Sequence, residues 1–160
     1  MRGLIGILPW AIVLAIAGAA IWLLLDRHAI VGSWVLAAVL VGHGLVHTLD
    51  LVPGPERRAG DAGPRWPFDL GRSWLVALAG ARRGRRSAAL LIAAIMGASV
   101  LAAAATVGLL PAASWPGLVC AAAIASLLLL VAAFDVQLVL GIGIDVALLV
   151  VVVAGAWRPA

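Results

Sequence analysis

Five apolar stretches of about twenty residues each, 4–25, 29–52, 87–110, 116–134 and 137–157, run through this chain. A bilayer core about 30 Å thick is crossed by about 20 apolar residues in a helix. Lipid offers no partner to an open N–H or C=O, so a spanning segment must satisfy its own backbone, as a helix does. The sequence therefore predicts an all-α, polytopic membrane bundle of about five transmembrane helices, one domain over 1–160. Composition agrees: with 65% hydrophobic and 11% charged residues, the chain is far from a soluble domain, where about a quarter of residues are charged.

The first boundary is marked by Asp26, Arg27 and His28, and another by the turn formers Pro111, Ser114 and Pro116. Gly117 to Trp157 holds no proline, yet as one helix it would reach about 60 Å, twice a bilayer. A tight turn near Asp135 is required. Arg2 and the run after it also fit a signal peptide cleaved near Ala17, Gly18 and Ala19. Because apolar residues continue to Leu25, a retained first helix is expected.

Residues 53–86 differ in kind. Pro53, Gly54, Pro55, Gly60, Gly63, Pro64 and Pro67 interrupt helices, and charges of both signs favour water. Trp66, Phe68 and Trp74 stand among arginines there, a pairing suited to the headgroup layer, so a short interfacial helix is expected over Ser73–Ala81. A disordered linker is the alternative.

Eight of the eleven arginines lie between Arg57 and Arg86. Counting positive charge predicts that this loop is cytoplasmic, with the amino terminus inside and the carboxyl terminus outside. The net charge of +4 then speaks for anionic lipid headgroups rather than nucleic acid. Arg82, Arg83, Arg85 and Arg86, with Trp66 and Trp74, are the lipid and topology residues at the inner face. Trp22, Trp34, Trp115 and Trp157 are expected at the outer one, completing an aromatic belt. Cys120 is the single cysteine, so the chain forms no internal disulfide and carries no cysteine-based zinc or redox motif.

An ionisable group in mid-span costs about 3 kcal/mol on insertion scales. Four stand in the apolar stretches: His43, His47, Asp50 and Asp145. In Gly42-His43-Gly44-Leu45-Val46-His47-Thr48-Leu49-Asp50 the first three recur at i, i+4 and i+7, on one helix face. His43 and Asp50 are about 10 Å apart along that axis, too far for one ion with bonds of about 2 Å. Asp50 is therefore expected to orient His47 by a hydrogen bond. Counting inward from Val52 and from Gln137 puts His43 and Asp145 at similar depth, about 12–14 Å. The second and fifth apolar helices are predicted to touch, Asp145 facing His43, with Gln137 or Asp135 near Asp50 and Gly141 allowing close approach. Ala94, Ala98 and Ala102, with Ala93 and Gly97, form a small-residue face suited to helix contact within the chain or between copies.

Three functions fit this cluster. It can be polar glue that fixes helix packing. It can hold a divalent transition metal on His43, His47 and Asp145, in an enzyme if a ligand position stays open. It can relay protons or ions through Asp145, His43, His47 and Asp50, with Gln137 as a supporting group.

The Gly-His-Gly-Leu-Val-His string, with Asp135, Gly141 and Asp145 in the last helix, resembles small bacterial multi-pass membrane proteins bearing a Gly-His-Gly-Leu-x-His motif. The resemblance covers about residues 35–157 and implies a helical bundle, with no activity to carry over. The His-x-x-x-His spacing is also similar to that of membrane di-iron enzymes and zinc hydrolases, but those need further histidines and only His28 remains. The expectation is a structural, accessory or assembly component of a larger membrane system, as a homo-oligomer or within a larger complex, with a metal-dependent enzyme or proton-coupled carrier as the alternative.

Overall fold

In the computed structural model, residues 29–52, 68–133 and 138–155 are described, together with Ala15. The first apolar stretch apart from Ala15, the residues 53–67 with Trp66, and Asp135 and Gln137 lie outside the described residues. All regular structure among those described is helical.

Helix α1, Ala29–Val46, tightens into a 3-10 turn over His47–Leu51. It stops at Val52, whose extended backbone (φ −85°, ψ 122°) is what a following proline imposes, here Pro53. A 3-10 turn at Leu70–Arg72 leads into helix α2, Trp74–Ala79. Ser73 caps α2: its hydroxyl oxygen accepts from Val76 N–H at 3.2 Å and its O–H donates to Leu70 C=O at 2.7 Å. Gly80, at φ 79°, ends α2 and reverses the chain, a conformation that costs glycine nothing.

Helix α3, Ala81–Thr106, begins six residues before the expected boundary at 87. The loop expected over 53–86 is thus helical from 74 to 79 and again from 81, because the arginines are good helix formers once Gly80 has made the turn. The helix ends early as well, at Thr106 rather than 110. Gly108 at φ 80° closes it: Leu109 N–H bonds to Ala104 C=O at 2.9 Å and Gly108 N–H to Ala105 C=O at 3.3 Å, a Schellman pair. After the 3-10 turn Ala112–Ser114, helix α4 runs Trp115–Ala132 with Pro116 in its first turn. Helix α5 is Val139–Val153.

Three segments, Gly32–Leu51, Ala81–Thr106 and Ala112–Ala132, are long and apolar enough to cross a membrane, and Val139–Val153 is apolar but shorter. Helix α3 is central, packed along α1, α2 and α4, while α4 packs along α5. The packing uses small residues: Ala88, Ala102, Ala105, Ala122 and Ala123 are buried, which lets backbones come close. Gly44 shows how close, since a Cβ there would sit 3.1 Å from both Cβ and Oγ of Ser99 on α3. Gly84 is tighter still, with Val76 Cγ2 at 2.8 Å and Val76 Cα at 2.9 Å from the same construction, so α2 lies directly on the first turns of α3.

On α3, Ala93, Ala94 and Gly97 are exposed, whereas Ile92, Ile95, Ser99 and Ala102 turn inward, so of the expected small-residue face Ala102 serves contact within the chain. One expectation is corrected. Trp115 does not line a lipid-facing belt. It is 1% exposed and joins the core cluster that includes Leu40, Ala103 and Val119, while Trp34, 64% exposed, does face outward. The bulk of an indole at the start of α4 fills the space that the alanines opposite leave open.

Candidate functional site

The buried polar side chains of α1, α4 and α5 meet at one place. Because α1 is packed along α3 rather than along α4 or α5, the gap toward those two helices is bridged by long imidazoles. His43 and His47, one turn apart on α1, stack edge to face with ring centroids 5.2 Å apart. Gly44, between them, brings α1 onto Ser99 of α3 and so fixes which way the histidine face turns.

Asp145, fully enclosed on α5, is held at both oxygens. His43 Nε2 lies 2.8 Å from Oδ1, and the Ser126 hydroxyl of α4 donates to Oδ2 at 2.5 Å. The depth match between His43 and Asp145 is therefore realised as a direct hydrogen bond. Ser126 is also 2.8 Å from His47 Nε2, with His43 Nε2 farther off at 3.5 Å. A hydroxyl has one proton. Since Ser126 gives it to Asp145, its oxygen accepts from His47, which places a hydrogen on Nε2 of that ring; the Asp145 carboxylate assigns the same tautomer to His43.

Asp50 departs from its expected part. His47 Nδ1 and Asp50 Oδ2 are 3.8 Å apart, beyond hydrogen-bond range. The 3-10 turn over His47–Leu51 changes the twist of the last α1 turn and carries the carboxylate away from the ring. His47 Nδ1 and Asp50 Oδ1 are both buried without a hydrogen-bond partner. Gln137, which was expected beside them, lies outside the described residues.

Gly141 also differs from its expected use. Its missing side chain makes room for Leu130 Cδ1 of α4, 3.1 Å from a Cβ built there, and not for α1. Ser126 is the residue that sequence reasoning missed, because only ionisable groups were weighed; it is the one hydroxyl between Gly117 and Ala132. Cys120 on the same helix is free and partly buried.

Among the described residues, no group of three or more His, Cys, Asp or Glu side chains is placed to hold a metal ion. The donor atoms of His43, His47 and Asp145 are instead turned toward one another and toward Ser126. A contact of 2.8 Å between His43 Nε2 and Asp145 Oδ1 is a hydrogen bond, shorter than the separation of about 3.4 Å that two ligands keep around a tetrahedral ion with bonds near 2.1 Å.

Trp74 is 53% exposed, yet its Nε1–H donates to Val131 C=O near the end of α4 at 2.7 Å, fastening α2 to the bundle. Arg82, Arg83, Arg85 and Arg86 are all exposed on the first turns of α3.

No protein-family model matches this chain, and no curated protein or solved structure matches it. The geometry of the cluster is therefore the basis for any functional reading.

Proposed function

We propose that this chain is a small multi-pass protein of a bacterial inner membrane that serves as a structural or assembly component of a larger membrane system, its His/Ser/Asp cluster setting how the helices sit together. The observation that carries this reading is the enclosure of Asp145, each of whose oxygens is held from a different helix. A carboxylate in hydrocarbon is costly unless it is hydrogen-bonded, so α1, α4 and α5 hold together through it. The exposed arginines of α3 and the indole of Trp74 suit a cytoplasmic face resting on anionic headgroups.

Orientation is tested with reporters. One fused after residue 60 is expected to read cytoplasmic, and one at the carboxyl terminus exterior; a cytoplasmic carboxyl terminus overturns the topology. Assembly is tested by native size in mild detergent. The wild type is expected to run larger than a protomer in its lipid and detergent shell. His43→Gln, whose amide can still donate to Asp145, is expected to keep that size, and His43→Ala to lose it. A wild-type chain that runs as a lone protomer overturns the assembly role, as does a folded Gln variant that has lost the assembly.

A further inference from the structure

The hydrogen-bond pattern of the cluster has a direction. With Asp145 ionised, the protons on Ser126 and on His47 Nε2 both point toward it. This leaves His47 Nδ1 with a bare lone pair at the opposite edge of the ring. The group 3.8 Å away is the carboxylate of Asp50, also an acceptor when ionised. Two acceptors facing each other, Nδ1 and Asp50 Oδ2, cannot bond, which leaves His47 Nδ1 buried without a partner; the other carboxylate oxygen, Oδ1, is unpartnered as well. One added proton would join them.

We propose that Asp50, His47, Ser126 and Asp145 form a proton relay, loaded from water at the Asp50 end and discharging at Asp145. It rests on the membrane-embedded bundle of the proposed function and deepens that reading. Asp50 takes a proton from solution at the end of α1 and passes it to His47 Nδ1. His47 Nε2 releases its own proton to Ser126 Oγ, and Ser126 passes its hydroxyl proton to Asp145 Oδ2. Asp145 ends neutral, Asp50 ends ionised, His47 has changed tautomer, and total charge is conserved along the way. His43 stands beside this path, holding Oδ1 of Asp145.

Nothing else that is charged faces the path among the described residues. The turn before α2 carries Asp69 and Arg72, both exposed, helix α3 carries only the exposed arginines of its first turns, α4 carries only Cys120 as an ionisable group, and Asp145 is the sole ionisable group of α5. No described arginine pairs with Asp50 or Asp145. The steps cover about 10 Å along α1, reaching from the end of the apolar stretch toward its middle.

The test uses the full chain in detergent micelles, with 15N-labelled histidine. At alkaline pH, His47 is expected to carry its hydrogen on Nε2 and none on Nδ1. A His47 that holds its hydrogen on Nδ1 throughout overturns the relay without any variant being made. The rate is then read by infrared spectroscopy after an acid jump, following the carboxylic C=O band that Asp145→Asn abolishes. Protonation of Asp145 is expected to slow at least about tenfold in Ser126→Ala and in Asp50→Asn, an added barrier of about 1.4 kcal/mol. Asn at position 50 can donate to Nδ1 but has no proton to hand on. Equal rates in folded Ser126→Ala and wild type overturn the relay. Because tautomer and rate are read on the isolated chain, they stand or fall apart from the native-size result.

Discussion

His43 and Asp145 are 102 positions apart in sequence and 2.8 Å apart in space, so one hydrogen bond ties α1 to α5 although the two backbones are not packed along one another. Removing His43 leaves the buried carboxylate short of a donor. His43→Ala is expected to cost about 3–5 kcal/mol, as breaking a buried pair does, and His43→Gln about 1 kcal/mol, since a hydrogen bond to Asp145 survives. Thermal unfolding in a fixed detergent measures both. Equal losses would mean that the bond contributes little beyond volume.

Ser126→Ala removes little volume but strands two groups, His47 Nε2 and Asp145 Oδ2. An unsatisfied buried group costs about 1–3 kcal/mol, so a loss of about 2–4 kcal/mol is expected by the same unfolding measurement. A neutral result would show that the two groups find each other or a water.

Trp74→Phe keeps the ring on α2 and deletes the hydrogen bond to Val131 C=O. The expected cost is about 0.5–1.5 kcal/mol, localised at α2. It should appear as faster amide exchange in Trp74–Ala79 and unchanged exchange around Ser126. Uniform acceleration over all helices would contradict a local fastening.

Gly84→Ala meets Val76 backbone as well as side chain, with Val76 Cα at 2.9 Å. Backbone cannot turn aside as a side-chain tip can, so α2 must shift, at a cost of about 1–3 kcal/mol. Amide exchange over Trp74–Ala79 reports the displacement and is expected to speed up in the variant; unchanged exchange would contradict it.

Protein isolated without chelator is expected to carry no stoichiometric divalent metal, because the donors of His43, His47 and Asp145 are engaged with one another and with Ser126. Elemental analysis beside a His43→Ala, His47→Ala double variant decides it. A stoichiometric metal lost in that variant would mean that the cluster rearranges around an ion.

The helices with long apolar runs were legible in the sequence because hydropathy acts over about twenty residues. So was the meeting of His43 with Asp145, because depth can be counted at a fixed rise per residue. The boundary at Arg82–Arg86 was not, since these charges also suit a water-exposed loop, and the helix starts at Ala81 once Gly80 has turned the chain. Ser126 was hidden by its small cost in hydrocarbon. The separation of Asp50 from His47 depends on one turn tightening from α to 3-10, which no spacing rule reads.

Gly44 touches no member of the polar network, yet it lies between two that belong to it and has Ser99 pressed against it. A survey of every substitution along α1 would therefore find positions 43, 44 and 47 intolerant together and merge a steric veto with a chemical one. Compensation separates them. Trimming Ser99 to glycine should make alanine acceptable at 44 while doing nothing for a lost imidazole, so tolerance at one position of this string is written on α3 and at its neighbours on α4 and α5.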